Sequence, residues 1–106
     1  MLSLDLLRQK NNERAEQWGT GELPATFAAT ELAGEVGEAC NIVKKLERAR
    51  IGAKGGTASY SDLAEELADV VICADLLASH YGIDLSRAVR NKFNKTSDKH
   101  GFSVKL

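Results

Sequence analysis

The chain has 106 residues and a formal net charge of −1, from 14 basic and 15 acidic side chains. Its length makes 1–106 a single domain with a thin core, and the balanced charge argues against a nucleic-acid or membrane-surface binder. No apolar run reaches the roughly 18 residues of a membrane span, and the start MLSLDLLRQKN does not read as a secretion signal, so a cytoplasmic protein is expected.

Frequent Ala and Leu, few aromatics and one proline favour helices throughout. Ser3 is placed to cap a first helix running to about Gln17, with Leu4, Leu7 and Ala15 on its apolar face. Arg14 and Trp18 are four apart and project together. Trp18 suits either a packing anchor or a platform for a base. GTGEL is a loop, and Pro24 suits a helix start.

The second helix is predicted from about Pro24 to Arg50. Leu32, Val36, Ala39, Val43 and Leu46 form an apolar stripe, and Glu31, Glu35, Glu38, Ile42 and Lys45 line the stripe beside it. Gly34 and Gly37 interrupt the run at about 1 kcal/mol each relative to Ala, which points to close approach by another backbone or a ligand. Ile51 to Ser59 is a connector, since its glycines lack the GxxxxGK[ST] phosphate-loop pattern.

A third helix, capped by Ser59 or Ser61, extends to about His80 with Leu63, Leu67, Val70, Ala74 and Leu77 as its core face. Val71, Ile72 and Leu76 widen the apolar surface beyond one stripe, which predicts a subunit interface. Gly82 ends this helix. Asp84 caps a fourth, from Leu85 to about Asp98, before an irregular tail, HGFSVKL. Cys40 and Cys73 read as buried free thiols in a reducing compartment. His80 and His100 fall outside any ligand spacing.

The chemistry lies in the carboxylates. TELAGEVGEACN puts Glu31, Glu35 and Glu38 on one helical face, where each like-charged pair costs about 0.2–0.5 kcal/mol. EELADVV adds Glu66 and Asp69 one turn apart, beside Glu65 and Asp62. In an antiparallel helix pair, ExxE and ExxD face each other and offer four carboxylates to Mg²⁺, which keeps waters and takes phosphate oxygens as its other ligands. A di-iron bundle requires Glu-x-x-His on two helices, and no His follows these Glu at that spacing.

ELAGEVGEACNIVKKLER, ELADVVICADLLA and AVRNKFNKTSDKHGF resemble the MazG-like nucleoside triphosphate pyrophosphohydrolases of the all-α NTP pyrophosphatase superfamily. The resemblance runs from Arg14 to about Phe102, and its ExxE–ExxD pattern falls on Glu35, Glu38, Glu66 and Asp69. It implies an all-α four-helix bundle and Mg²⁺ dependence, with Mn²⁺ as a substitute. It also implies hydrolysis of a (deoxy)nucleoside triphosphate to monophosphate and pyrophosphate by a homodimer or homotetramer. Lys92 and Asn94 match the family's basic and amide residues near the last helix.

The residue types suit that reaction. Divalent ions on the carboxylates neutralise phosphate charge and lower the pKa of a bound water. Lys45 and Lys92 supply point charges for phosphates. Asn41 and Asn94 offer hydrogen bonds to sugar or phosphate, Glu31 lies beside the cluster, and Trp18 or Phe93 can stack a base. Two alternatives stand beside this expectation: a dUTPase-like or phosphoribosyl-ATP hydrolase variant, and a non-catalytic helical interaction module.

Overall fold

The computed structural model describes all residues from Met1 to Leu106 and contains four helices and no strand. They are α1 (Leu4–Trp18), α2 (Ala25–Arg50), α3 (Tyr60–His80) and α4 (Leu85–His100). Local chemistry sets their ends. Ser3 Oγ accepts from the Leu6 N–H at 3.0 Å, and Asp84 accepts from the Arg87 N–H at 3.0 Å. At α3 the cap is Ser59, not Ser61. Its hydroxyl accepts from the Asp62 N–H at 3.1 Å while Asp62 accepts from the Ser59 N–H at 2.8 Å, a reciprocal capping box. Gly19 and Gly101 stop α1 and α4 in the left-handed region that only Gly enters freely. α4 reaches His100, one half-turn beyond the predicted end.

α2 and α3 form an antiparallel hairpin. Lys45, late in α2, acts on Asp62 at the start of α3, whereas Glu31, early in α2, acts on Cys73 farther along α3. Along α2 the contact line is Ala28, Leu32, Glu35, Ala39, Ile42 and Leu46, each buried or half-buried, and facing it on α3 are Leu63, Glu66, Val70, Cys73 and Leu77. Both sets alternate steps of three and four, the spacing of a helix–helix seam.

That register corrects the predicted stripes. Val36 and Val43 of the α2 apolar stripe and Leu67 of the α3 core face are 43%, 44% and 52% exposed. Glu35 and Glu66 share the contact line with Leu32, Ala39 and Leu46 of α2 and Leu63, Val70 and Leu77 of α3, so only Val36, Val43 and Leu67 are turned off it, by about one residue or roughly 100°. Nothing approaches Gly34 or Gly37 either, so no neighbouring backbone within the protomer accounts for them. Cys73 is buried and Cys40 exposed, and both thiols are free, so the expectation of two buried thiols holds for Cys73 alone.

α1 packs on α3 through a buried polar node. Asp75 is fully buried and accepts from Arg8 Nε at 3.0 Å and from Asn11 Nδ2 at 3.0 Å. Arg8 also donates from Nη2 to the Ile83 carbonyl at 2.7 Å, tying in the α3–α4 turn. The Ile72 carbonyl accepts from Asn11, which puts Ile72 on the α1 side of α3, away from Val71. α4 packs on α1.

The arrangement is open. The radius of gyration is 17.0 Å, against about 13 Å for a compact chain of this length. Only Asn11, Ala28, Ala39, Cys73, Asp75, Ala78 and Ser97 are buried, and of these Asp75 alone is fully so.

Candidate active site

The antiparallel register brings the two acidic motifs together. Glu35 and Glu38 stand one turn apart on α2, with Glu66 opposite them on α3. One carboxylate oxygen from each lies within 4.8 Å of the others. Glu35 Oε2 and Glu66 Oε2 are both buried and have no hydrogen-bond partner. The chain's ion pairs, Arg8–Asp75, Lys10–Glu13, Arg50–Glu47 and Lys105–Asp98, include none of the three.

Carboxylates so placed oppose each other's ionisation. The Glu66 carboxyl is pushed up from its ordinary 4.5 to about 7. The main cause is that its protonated form donates to Glu35; burial and the neighbouring Glu38 act in the same direction. The proton therefore supplies the donor that the ionised pair lacks. Cys73, beside the cluster, has its thiol pushed up first by burial and then by the charges of Glu31, Glu35 and Asp69.

Asp69 stands one turn past Glu66, exposed, and lies outside the three-carboxylate group. Its charge and that of Glu31 are felt together at Cys73, so both flank the cluster along the hairpin. The other predicted site residues are dispersed. Asn41 is exposed on α2, and Lys45 is half-buried with its stem passing Gly56 of the connector. Trp18 is 70% exposed at the end of α1, and Phe93 and Lys92 are exposed on α4. Asn94 is engaged elsewhere: its Nδ2 donates to the Leu106 carbonyl at 3.1 Å, and its Oδ1 accepts from the Leu106 N–H at 2.7 Å. This amide holds the tail against α4.

The residues fit a hard divalent cation. Three carboxylates converge, two of their oxygens are buried without a donor, and the protein supplies no cationic side chain to balance them. An unpaired buried carboxylate is costly, and oxygen-only donor sets suit Mg²⁺ or Mn²⁺. The sequence reading passed over Asp75, whose place within the apolar run VVICADLLA signals a satisfied buried acid.

No curated protein and no solved structure matches the chain. The family model that matches covers residues 31–105, from the first acidic residue of α2 through the tail, and is described as the MazG-like family. With both acidic motifs inside a match that covers most of the sequence, the chain belongs to the MazG-like family.

Proposed function

We propose that this chain is a cytoplasmic, Mg²⁺-dependent nucleotide pyrophosphohydrolase that cleaves nucleoside triphosphates to the monophosphate and pyrophosphate. One observation carries the reading: the buried, unpartnered oxygens of Glu35 and Glu66, with Glu38 beside them and no cation in reach. Membership of the MazG-like family supports the hydrolase class.

Glu35, Glu38 and Glu66 would hold Mg²⁺, or Mn²⁺ in its place, with Asp69 as the fourth acidic residue at the cluster's edge. A divalent ion there supplies charge stabilisation for phosphate oxygens. The chain's own residues position the substrate. Lys45, two turns from Glu38, offers a point charge to the outer phosphates, and Lys92 is a second candidate. Glu31 and Asn41 border the cluster on α2, where a sugar or base can be hydrogen-bonded. Trp18 offers an exposed ring for stacking. The working unit is a homodimer or homotetramer. The chain has no helix long and apolar enough to cross a membrane.

The test is a panel of canonical nucleoside triphosphates, dUTP and phosphoribosyl-ATP, each incubated with the protein and Mg²⁺. Pyrophosphate release that stops with EDTA supports the proposal, and the preferred substrate separates the variants. Orthophosphate release changes the reaction class. No release from any substrate leaves a helical interaction module as the better reading.

A further inference from the structure

Charge is balanced over the whole chain but segregated in space. The tip of the α2–α3 hairpin, from Lys44 to Lys54, carries the cations Lys44, Lys45, Arg48, Arg50 and Lys54 and a single acid, Glu47. Glu47 is taken by Arg50 at 2.8 Å, and no ion pair holds the other four cations. Asp62, at the start of α3, is committed to the Ser59 capping box. Arg48 and Arg50 lie in the last turn of α2, where the helix dipole favours cations. The dipole accounts neither for Lys44 and Lys45 further back nor for Lys54 in the connector. The connector also seats part of this charge. Arg48 Nη1 donates to the Gly55 carbonyl at 3.2 Å. A Cβ at Gly55 would lie 2.6 Å from Arg48 Cδ and Nη1, so the glycine leaves the room that the guanidinium occupies. Lys45 runs its stem along Gly56. Arg48 and Lys45 are thus half-buried and held, while Lys44 and Lys54 are exposed beside them. Tyr60 opens α3 at the same end and is 82% exposed.

We propose that this tip docks single-stranded nucleic acid, with backbone phosphates on Lys44, Lys45, Arg48 and Lys54 and an unpaired base on Tyr60. Charge complementarity identifies the occupant. Four cations without acidic partners fit a chain of phosphates, and a cationic track beside an exposed aromatic ring holds single strands without sequence preference. A duplex keeps its bases stacked and offers no free base face to Tyr60. A membrane surface calls for a broad apolar face beside the cations, and Ile51 and Tyr60 are the only large exposed hydrophobic residues from Lys44 to Tyr60. The inference goes beyond the pyrophosphohydrolase reading and does not depend on it. Lys45 alone is common to both; Lys44, Arg48, Lys54, Gly55 and Tyr60 have no part in the proposed hydrolysis.

The experiment is fluorescence anisotropy of a labelled oligo-uridylate of about 12 nucleotides, titrated with the full chain in EDTA so that no metal-dependent hydrolysis intervenes. Four neutralised phosphates predict an affinity that falls about 50-fold between about 50 and 200 mM salt, from a slope of about 0.7 per phosphate. Replacing two cations, Lys44→Gln with Lys54→Gln, should cut that fall to about sevenfold. Tyr60→Ala should weaken binding at least about fivefold at every salt concentration without changing the slope. Gly55→Ala keeps every charge but displaces Arg48, and should also weaken binding. Arg87→Gln with Lys99→Gln, on the basic helix α4, should leave binding unchanged. Circular dichroism confirms that each variant is folded, and pyrophosphate release with Mg²⁺ from Lys44→Gln with Lys54→Gln is expected to match the unaltered protein, so either reading can fail without the other. No binding at about 50 mM salt, or binding lost with the α4 substitutions and kept with those at the tip, overturns the proposal. Capture of the chain by phosphatidylserine vesicles but not by the oligonucleotide overturns it as well and makes the tip a membrane contact.

Discussion

Glu35 and Glu66 face each other across the α2–α3 contact line, each with a buried carboxylate oxygen that no donor reaches. Ordinary helix packing would put two apolar side chains there. The pair is stable when something positive, a proton or a metal ion, lies between the two carboxylates.

A pH dependence follows. In the metal-free protein Glu66 titrates near 7, against 4.5 for an ordinary glutamate. A raised carboxyl pKa means that the native state holds a proton which the unfolded chain has released. This contribution is fully present below 4.5 and is lost as pH rises through about 7. Melting temperature in EDTA is therefore expected to fall between those values. Saturating Mg²⁺ competes with the proton and should flatten the fall. A metal-free melting temperature that rises across the same window would contradict the assignment.

Glu38→Gln and Asp69→Asn test the metal assignment. Both are expected to remove most pyrophosphohydrolase activity. In EDTA they should leave stability unchanged or raise it, since each relieves repulsion worth about 0.2–0.5 kcal/mol per helical pair. With Mg²⁺ at 100 times its Kd, the unaltered protein gains about 2.7 kcal/mol and the variants less. The sign of the melting difference thus depends on metal. Equal destabilisation with and without Mg²⁺ would mark the cluster as scaffolding.

Asp75→Ala should behave in the opposite way. It leaves Arg8 and Asn11 facing an empty buried position, and breaking such a pair costs about 3–5 kcal/mol. The loss is expected to be the same in EDTA and in Mg²⁺, because the node ties α1 to α3 away from the carboxylate cluster. Urea unfolding under both conditions measures it, and a metal-dependent loss would show that the two networks are coupled.

Asn94→Ala separates tail-holding from substrate binding. It removes two hydrogen bonds to Leu106, each worth about 1 kcal/mol. The expected outcome is faster amide exchange at Leu106 with KM unchanged. A several-fold rise in KM without faster exchange would return Asn94 to the substrate site.

The four helices, their Ser3, Ser59 and Asp84 caps and the ExxE–ExxD pair were legible in the sequence because each rests on interactions within about one helical turn. Capping and three-or-four-residue periodicity are local, and hydroxyl, carboxylate and glycine side chains mark them directly. The packing register was not local. Val36 and Glu35 are neighbours on α2, and the apolar pattern alone assigned Val36 to the core. The antiparallel pairing with α3 put Glu35 there instead, opposite Glu66, and turned Val36 outward. Asn94 was legible as a hydrogen-bonding residue, but its partner, Leu106, is brought to it only by the chain reversal at Gly101. Asp69 and Glu66 look equivalent in sequence, yet only Glu66 joins Glu35 and Glu38, because one helical turn carries Asp69 past the point where the carboxylates converge. The sequence determined which side chains could bind a cation; the rotation of α2 against α3, set by side-chain packing between residues far apart in the chain, decided which of them meet.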